Sequence, residues 1–219
     1  MKDSTHLVKS ALAELVGTFF LTLAALISGT PYVVGLTLGV FVYVIGTVSG
    51  CNLNPAVSLG LMVTRRLPLV VGTLYIMVQL AGAGLALLAA IFTGHLAAHY
   101  AASSPLAEFL GFGLLMLTVV AVSDKNVPQA GSGIAIGGAL AAGLVISRGI
   151  LNPAVAVAMG QVLSPATWAT LLSGVCFCLL YQLYESKEKP AEESQDMAKT
   201  TKQTARSTMR DTSGRTTQG

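Results

Sequence analysis

Apolar stretches of membrane-crossing length dominate the chain, and turn signals or isolated charges break them up. A helix needs about 20 mostly apolar residues to cross the hydrocarbon of a bilayer. Six stretches meet that length, roughly 7–28, 32–48, 67–93, 105–122, 130–147 and 165–184. Two apolar pieces remain, 54–63 and 152–162, each too short to cross and each opening on Asn-Pro. Short helices at membrane depth are tolerated only where they are buried in protein or line a cavity. The pattern therefore predicts an all-α membrane protein of six transmembrane helices plus two re-entrant half-helices.

The order of these pieces repeats. Ala13-Glu14-Leu15-Val16-Gly17 in the first span returns as Ala107-Glu108-Phe109-Leu110-Gly111 in the fourth, and Leu53-Asn54-Pro55-Ala56-Val57 returns as Leu151-Asn152-Pro153-Ala154-Val155. Each half reads span, span, half-helix, span. Three crossings per half invert the second half relative to the first, and inverted repeats with half-helices put their site near the midplane, between the repeats.

Charge sharpens this picture. Only 11% of residues are charged, against about a quarter in a soluble domain. Between Ser10 and Tyr184 the charged residues are Glu14, Arg65, Arg66, Glu108, Asp124, Lys125 and Arg148. Residues 185–219 are dense in charged and hydroxyl side chains and are expected to be a disordered tail. Lys2, Lys9, Arg65, Arg66, Lys125 and the tail fall on one side of six crossings, leaving Arg148, His95 and His99 on the other. The positive-inside rule then puts both termini in the cytoplasm. The net charge of +3 forms no clustered basic face with interleaved aromatics, so a nucleic-acid partner is rejected. Cys51, Cys176 and Cys178 lie in apolar segments and are expected as free thiols. The first apolar stretch lacks a small-residue cleavage site and reads as a helix, not a removed signal.

Asn is a favoured N-cap and Pro a favoured first helical residue. Asn54-Pro55 and Asn152-Pro153 should thus begin half-helices whose positive ends, each equivalent to roughly half an elementary charge, face one another near the bilayer centre. That potential raises the barrier to a cation or proton. Two Asn amides donating to one water oxygen would turn its hydrogens away from the midpoint and interrupt a proton wire. The residues before each Asn, Gly50, Cys51, Asn52 and Leu53 in one copy and Arg148, Gly149, Ile150 and Leu151 in the other, carry carbonyls with no helical partner.

Over residues 7–184 the chain resembles the aquaporin (major intrinsic protein) family. Ser49-Gly50-Cys51-Asn52-Leu53-Asn54-Pro55-Ala56-Val57-Ser58 is similar to that family's first signature, the second Asn-Pro-Ala (Asn152, Pro153, Ala154) repeats it, and Asp124-Lys125 resembles its fourth interhelical loop. The resemblance implies an aquaporin-like right-handed bundle with repeats at 7–93 and 105–184, half-helices meeting end to end, and a homotetramer. It also implies a carbonyl ladder from the extended residues, and Glu14 and Glu108 as acceptors for N–H groups of the re-entrant loops. No cofactor or metal is expected. The implied cargo is water and small neutral solutes, and the implied site an integral position in the lipid bilayer, expected at the plasma (cell) membrane.

One departure bears on selectivity. The family pattern has Arg directly after the second Asn-Pro-Ala, where this chain has Val155. Carrying the other filter positions across gives Val34, Leu144 and Gly149, a wider and more apolar constriction that compensates desolvation of a polar permeant less well. The Asp that marks the glycerol-conducting branch is also absent, since Ala156 and Val157 follow. The chain thus fits neither subclass cleanly, and the wider constriction leads to the expectation that glycerol, urea, ammonia or peroxide passes beside water. Arg148 could swing into the vestibule in place of the missing Arg, or be a loop charge in contact with water.

Other features are weaker. His95 and His99 have H-x-x-x-H spacing but no third ligand. Cys51 is a candidate for mercurial block or a small buried hydrophobe. Gly82, Gly84, Gly137, Gly138, Gly143 and Gly174 are expected to let helices approach closely. No nucleophile arrangement, phosphate loop or paired-carboxylate site suggests an enzyme. The rival functions are an ion- or proton-coupled small-molecule transporter, which needs ionisable groups facing a cavity, and a non-conducting membrane scaffold.

Overall fold

A computed structural model describes residues 2–95 and 103–185, so His99 and residues 186–219 of the tail lie outside the described residues, while Glu185 ends the last helix. The elements are α1 (Lys2–Ser28), α2 (Pro31–Ser49), α3 (Pro55–Val63), α4 (Leu69–Phe92), α5 (Pro105–Ser123), α6 (Gln129–Ser147) and α7 (Pro153–Ala158), followed by α8 (Pro165–Glu185). Among the described residues there is no strand. Six of these helices are long and apolar enough to cross a membrane, and the two that are not are α3 and α7. Met1–Leu179 forms one compact unit.

Proline sets several starts. Pro31, Pro55, Pro105 and Pro153 occupy the first turn of their helices, where the missing N–H costs nothing. Pro68 caps α4, which therefore begins two residues later than the apolar run suggests. The second half-helix is also shorter than expected and stops at Ala158. Gly160 takes a φ of 70°, its N–H donates to the Val157 carbonyl, and Gln161 N–H donates to the Ala156 carbonyl at 2.7 Å. This glycine-terminated closure satisfies the last carbonyls and turns residues 161–164 into a loop.

Because lipid is as apolar as the helices, close packing holds such a bundle together. α2 meets α6 through Gly35, Gly39, Gly133 and Gly137; a Cβ on Gly35 would sit 2.5 Å from the Gly137 carbonyl oxygen, and one on Gly137 as near to that of Gly35. Gly111 and Gly143 bring α5 onto α6, Gly60 and Gly174 bring α3 onto α8, and Gly82 packs on the Leu15 carbonyl of α1. Gly84 and Gly138 depart from expectation: a Cβ on either meets nothing within 4 Å, because both face outward from their helices. Outward faces elsewhere carry large apolar side chains such as Leu36, Leu69, Phe92 and Ile134, which lipid, not water, would cover.

Each half-helix docks across the repeat boundary. α3 packs on α5 as well as on α4, and α7 packs on α4 and α1. This exchange seats both Asn-Pro starts between the halves.

Candidate functional site

The two Asn-Pro starts share one geometry. Asn54 and Asn152 are extended, with φ of −156° and −148°, and each side-chain oxygen accepts the N–H two residues on, from Ala56 at 2.9 Å and Ala154 at 3.0 Å. The amide nitrogens then reach across the repeat boundary. Asn54 Nδ2 donates to the Leu151 carbonyl at 2.8 Å, and Asn152 Nδ2 donates to the Leu53 carbonyl at 2.9 Å. Each amide carries two N–H groups, so this reciprocal pair uses one from each side chain.

The loops before the asparagines are held by two buried carboxylates. Glu14, fully buried on α1, accepts from Ser49 Oγ (2.7 Å) and Asn52 N–H (2.9 Å) at Oε1, and from Leu53 N–H (2.8 Å) and Gln79 Nε2 (2.8 Å) at Oε2. Glu108, buried on α5, accepts from Ser103 Oγ (2.9 Å) and Ile150 N–H (2.7 Å) at Oε1, and from Leu151 N–H (3.0 Å) and Thr170 Oγ1 (3.1 Å) at Oε2. A carboxylate has about four lone-pair sites, so both are filled.

These bonds fix the carbonyls too. The described peptides are trans, and in a trans peptide the C=O points opposite to the N–H. With the N–H groups of Asn52 and Leu53 aimed at Glu14, the carbonyls of Cys51 and Asn52 are turned away from it. Those of Gly149 and Ile150 are turned away from Glu108 for the same reason. The chain reaches this shape through left-handed residues: Gly50 (φ 88°), Cys51 (55°) and Leu53 (48°) in the first loop, Arg148 (52°) and Leu151 (54°) in the second. Four of these five are not glycine and carry a local conformational cost, which the carboxylate bonds offset.

A narrow cavity runs past the asparagines. It is lined by Leu21, Leu38, Cys51, Asn54, Leu140 and Asn152 among others, and its volume of about 20 Å³ is room for one water. Cys51, Asn52, Val119 and Ile136 also line a vestibule of about 620 Å³, which opens beside Tyr43, Arg66 and Lys125. Arg66 at the mouth makes a bidentate ion pair with Asp124, Nε–Oδ1 2.9 Å and Nη2–Oδ2 2.7 Å, tying the end of α3 to the end of α5.

Val34, Leu144 and Val155 are buried on α2, α6 and α7. Gly149 is buried behind Glu108, where any Cβ would overlap the carboxylate. What this position turns away from Glu108 is its carbonyl, not a side chain. Arg148 is exposed and caps α6. Of the residues that complete the carboxylate shells, Gln79, Ser103 and Thr170 belong to no motif in the sequence, and Ser49 stands there only as the start of the first signature. The one amide within α4 was the available signal. The Arg66–Asp124 pair also went unread, because no spacing rule joins residues 58 apart.

Six helices of membrane-crossing length, two stub helices and paired loops beside a cavity with room for one water define a polytopic helical membrane protein built from two matched halves. The profile of the major intrinsic protein family matches residues 1–172. The chain belongs to that family, and it is a passive channel for water or small solutes, not an enzyme. Aquaporin AqpM of Methanothermobacter thermautotrophicus is 31% identical over 68% of this chain and 80% of its own length. Nodulin-26 of Glycine max is 29% identical over 87% and 83%. The X-ray structure of the aquaglyceroporin from Plasmodium falciparum aligns with a TM-score of 0.61 at 21% identity, covering 80% of this chain and 95% of that one, and shows the shared fold.

Proposed function

We propose that this channel conducts water together with small uncharged solutes such as glycerol, urea, ammonia or peroxide, along a path whose midpoint is Asn54 and Asn152. The observation that carries this reading is the reciprocal bonding of the two asparagines beside a cavity with room for one water, whose lining residues Cys51, Asn52, Val119 and Ile136 also line a large vestibule. The second N–H of each amide is available to a passing oxygen, so a water at the midpoint accepts twice and cannot pass a proton along the file. The opposed helix ends add positive potential against cations. The carbonyls of Cys51, Asn52, Gly149 and Ile150 supply acceptors along the walls, with Glu14 and Glu108 as scaffold. A coupled transporter is disfavoured because both buried carboxylates already hold four donors each.

In this reading Val34, Leu144, Val155 and the Gly149 carbonyl form the outer constriction. Without a polar group there, exclusion of neutral solutes rests on width and on the desolvation that the apolar wall leaves uncompensated. The arrangement of basic residues supports cytoplasmic termini, and the family fold supports a homotetramer in the plasma membrane. Stopped-flow light scattering on proteoliposomes, with water, glycerol, urea and ammonia and with Val155→Arg beside the parent, tests the proposal. The parent should pass all four solutes well above empty liposomes, and Val155→Arg should lose glycerol and urea first. Fast water flux with complete exclusion of the other three would reject the wide constriction.

A further inference from the structure

The two carboxylate shells match in their backbone donors and differ in their side-chain donors, and a cavity lies beside the second. Asn52 and Ile150 give equivalent N–H groups to Oε1, and Leu53 and Leu151 give them to Oε2. In the first repeat the remaining Oε2 bond comes from the amide of Gln79, which also donates to Ser58 Oγ at 3.1 Å; Asn52 Nδ2 donates to the same hydroxyl at 3.2 Å. In the second repeat the corresponding side chains are Thr170, Ala156 and Ile150, so the amide, the hydroxyl and the second amide are all missing. The short α7, closed at Gly160, removes further volume.

What remains is a cavity of about 260 Å³ behind α7, lined by Glu108, Asn152, Ala156, Gln161, Ser164 and Thr170 among others. That is far more than one water needs. Its wall includes a buried carboxylate and a hydroxyl that can yield its place, since Thr170 Oγ1 lies 3.1 Å from both Glu108 Oε2 and the Ala166 carbonyl. When its hydrogen turns to Ala166, Oε2 holds one donor fewer and can accept another that reaches it from the cavity.

We propose that this cavity is a binding site for a small neutral molecule bearing a primary amide, whose N–H donates to Glu108 Oε2 as Gln79 Nε2 does to Glu14. The first repeat supplies the template in the same fold, with an amide nitrogen 2.8 Å from the matching oxygen. A carboxylate-bearing analogue of the same size is repelled by Glu108. Asn152 lines both this cavity and the narrow one, but amide binding at Glu108 does not depend on the pore reading, so permeability does not enter its test.

The test uses the full chain in nanodiscs and fluorine NMR of 2,2,2-trifluoroacetamide, with trifluoroacetate as the isosteric anion. Expected is a broadening of the amide signal that acetamide displaces, with a Kd on the order of 1 mM for so small a ligand, and no displaceable broadening of the anion. Thr170→Gln puts the chain's own amide into the cavity and should weaken binding at least tenfold. Ala166→Leu, which narrows the same space, is read if Thr170→Gln fails to give monodisperse protein. No displaceable broadening with the parent, equal binding of the anion, or full binding in the folded variant would overturn the proposal.

Discussion

Replacing Glu14 with Gln removes one acceptor from a shell with none to spare. The carboxylate is fully buried and holds the N–H groups of Asn52 and Leu53, the Ser49 hydroxyl and the Gln79 amide. The new NH₂ is best accommodated toward Ser49, whose hydroxyl can reverse and accept, but the Asn52 N–H is then left without a partner. An orphaned buried donor costs about 1–3 kcal/mol, and the remaining bonds lose charge assistance worth about 1 kcal/mol more. Relief of the buried charge offsets part of this, leaving a net loss of about 2 kcal/mol. For a unit of this size the unfolding midpoint should fall by about 4–8 °C. The freed Asn52 N–H also releases the Cys51 carbonyl from its orientation away from Glu14, and on the proposed carbonyl ladder water permeability at matched protein content should fall severalfold. Glu108→Gln should be milder, because Thr170 has the Ala166 carbonyl as a second acceptor. Thermal unfolding in detergent and stopped-flow permeability measure both variants. An unfolding midpoint and a permeability for Glu14→Gln equal to those of the parent would refute the claim that the carboxylate holds the loop.

Gly149→Ala should be severely destabilising, by about 3 kcal/mol or more, because the new Cβ overlaps the Glu108 carboxylate; poor recovery of monodisperse protein is the readout. Gly137→Leu should separate α2 from α6, whose backbones meet there, and lower the unfolding midpoint more than Gly138→Leu, whose side chain would point into open space. Asp124→Asn breaks a pair whose side chains are only 13% and 17% exposed and should cost about 1–3 kcal/mol, between the values for exposed and fully buried pairs, read as a lower midpoint that Asp124→Glu partly restores.

Much of this was legible from the sequence because membrane physics leaves few options. Length and hydropathy located six crossings, and Asn-Pro at the head of two short apolar runs located the half-helices. Boundaries missed where local chemistry outweighed hydropathy. Residues 159–162 are apolar enough to extend α7, yet Gly160 in a left-handed conformation ends it. Gly84 and Gly138 looked like packing sites because spacing alone does not say which face of a helix meets a neighbour. The carboxylates were found as rare buried charges, while their partners Gln79, Ser49, Ser103 and Thr170 are ordinary polar residues distant in sequence. The orientation of the Cys51, Asn52, Gly149 and Ile150 carbonyls depends on which N–H groups the glutamates hold, and only three-dimensional structure supplies that.

Simultaneous measurement of water and proton flux in one set of proteoliposomes, by light scattering under an osmotic step and by an entrapped pH dye, tests the central claim most directly. Paired asparagines at a one-water midpoint predict water flux far above empty liposomes, with weak temperature dependence and a proton leak no greater than the lipid's own. Water flux equal to that of empty liposomes, or proton flux that rises with it, would contradict the account.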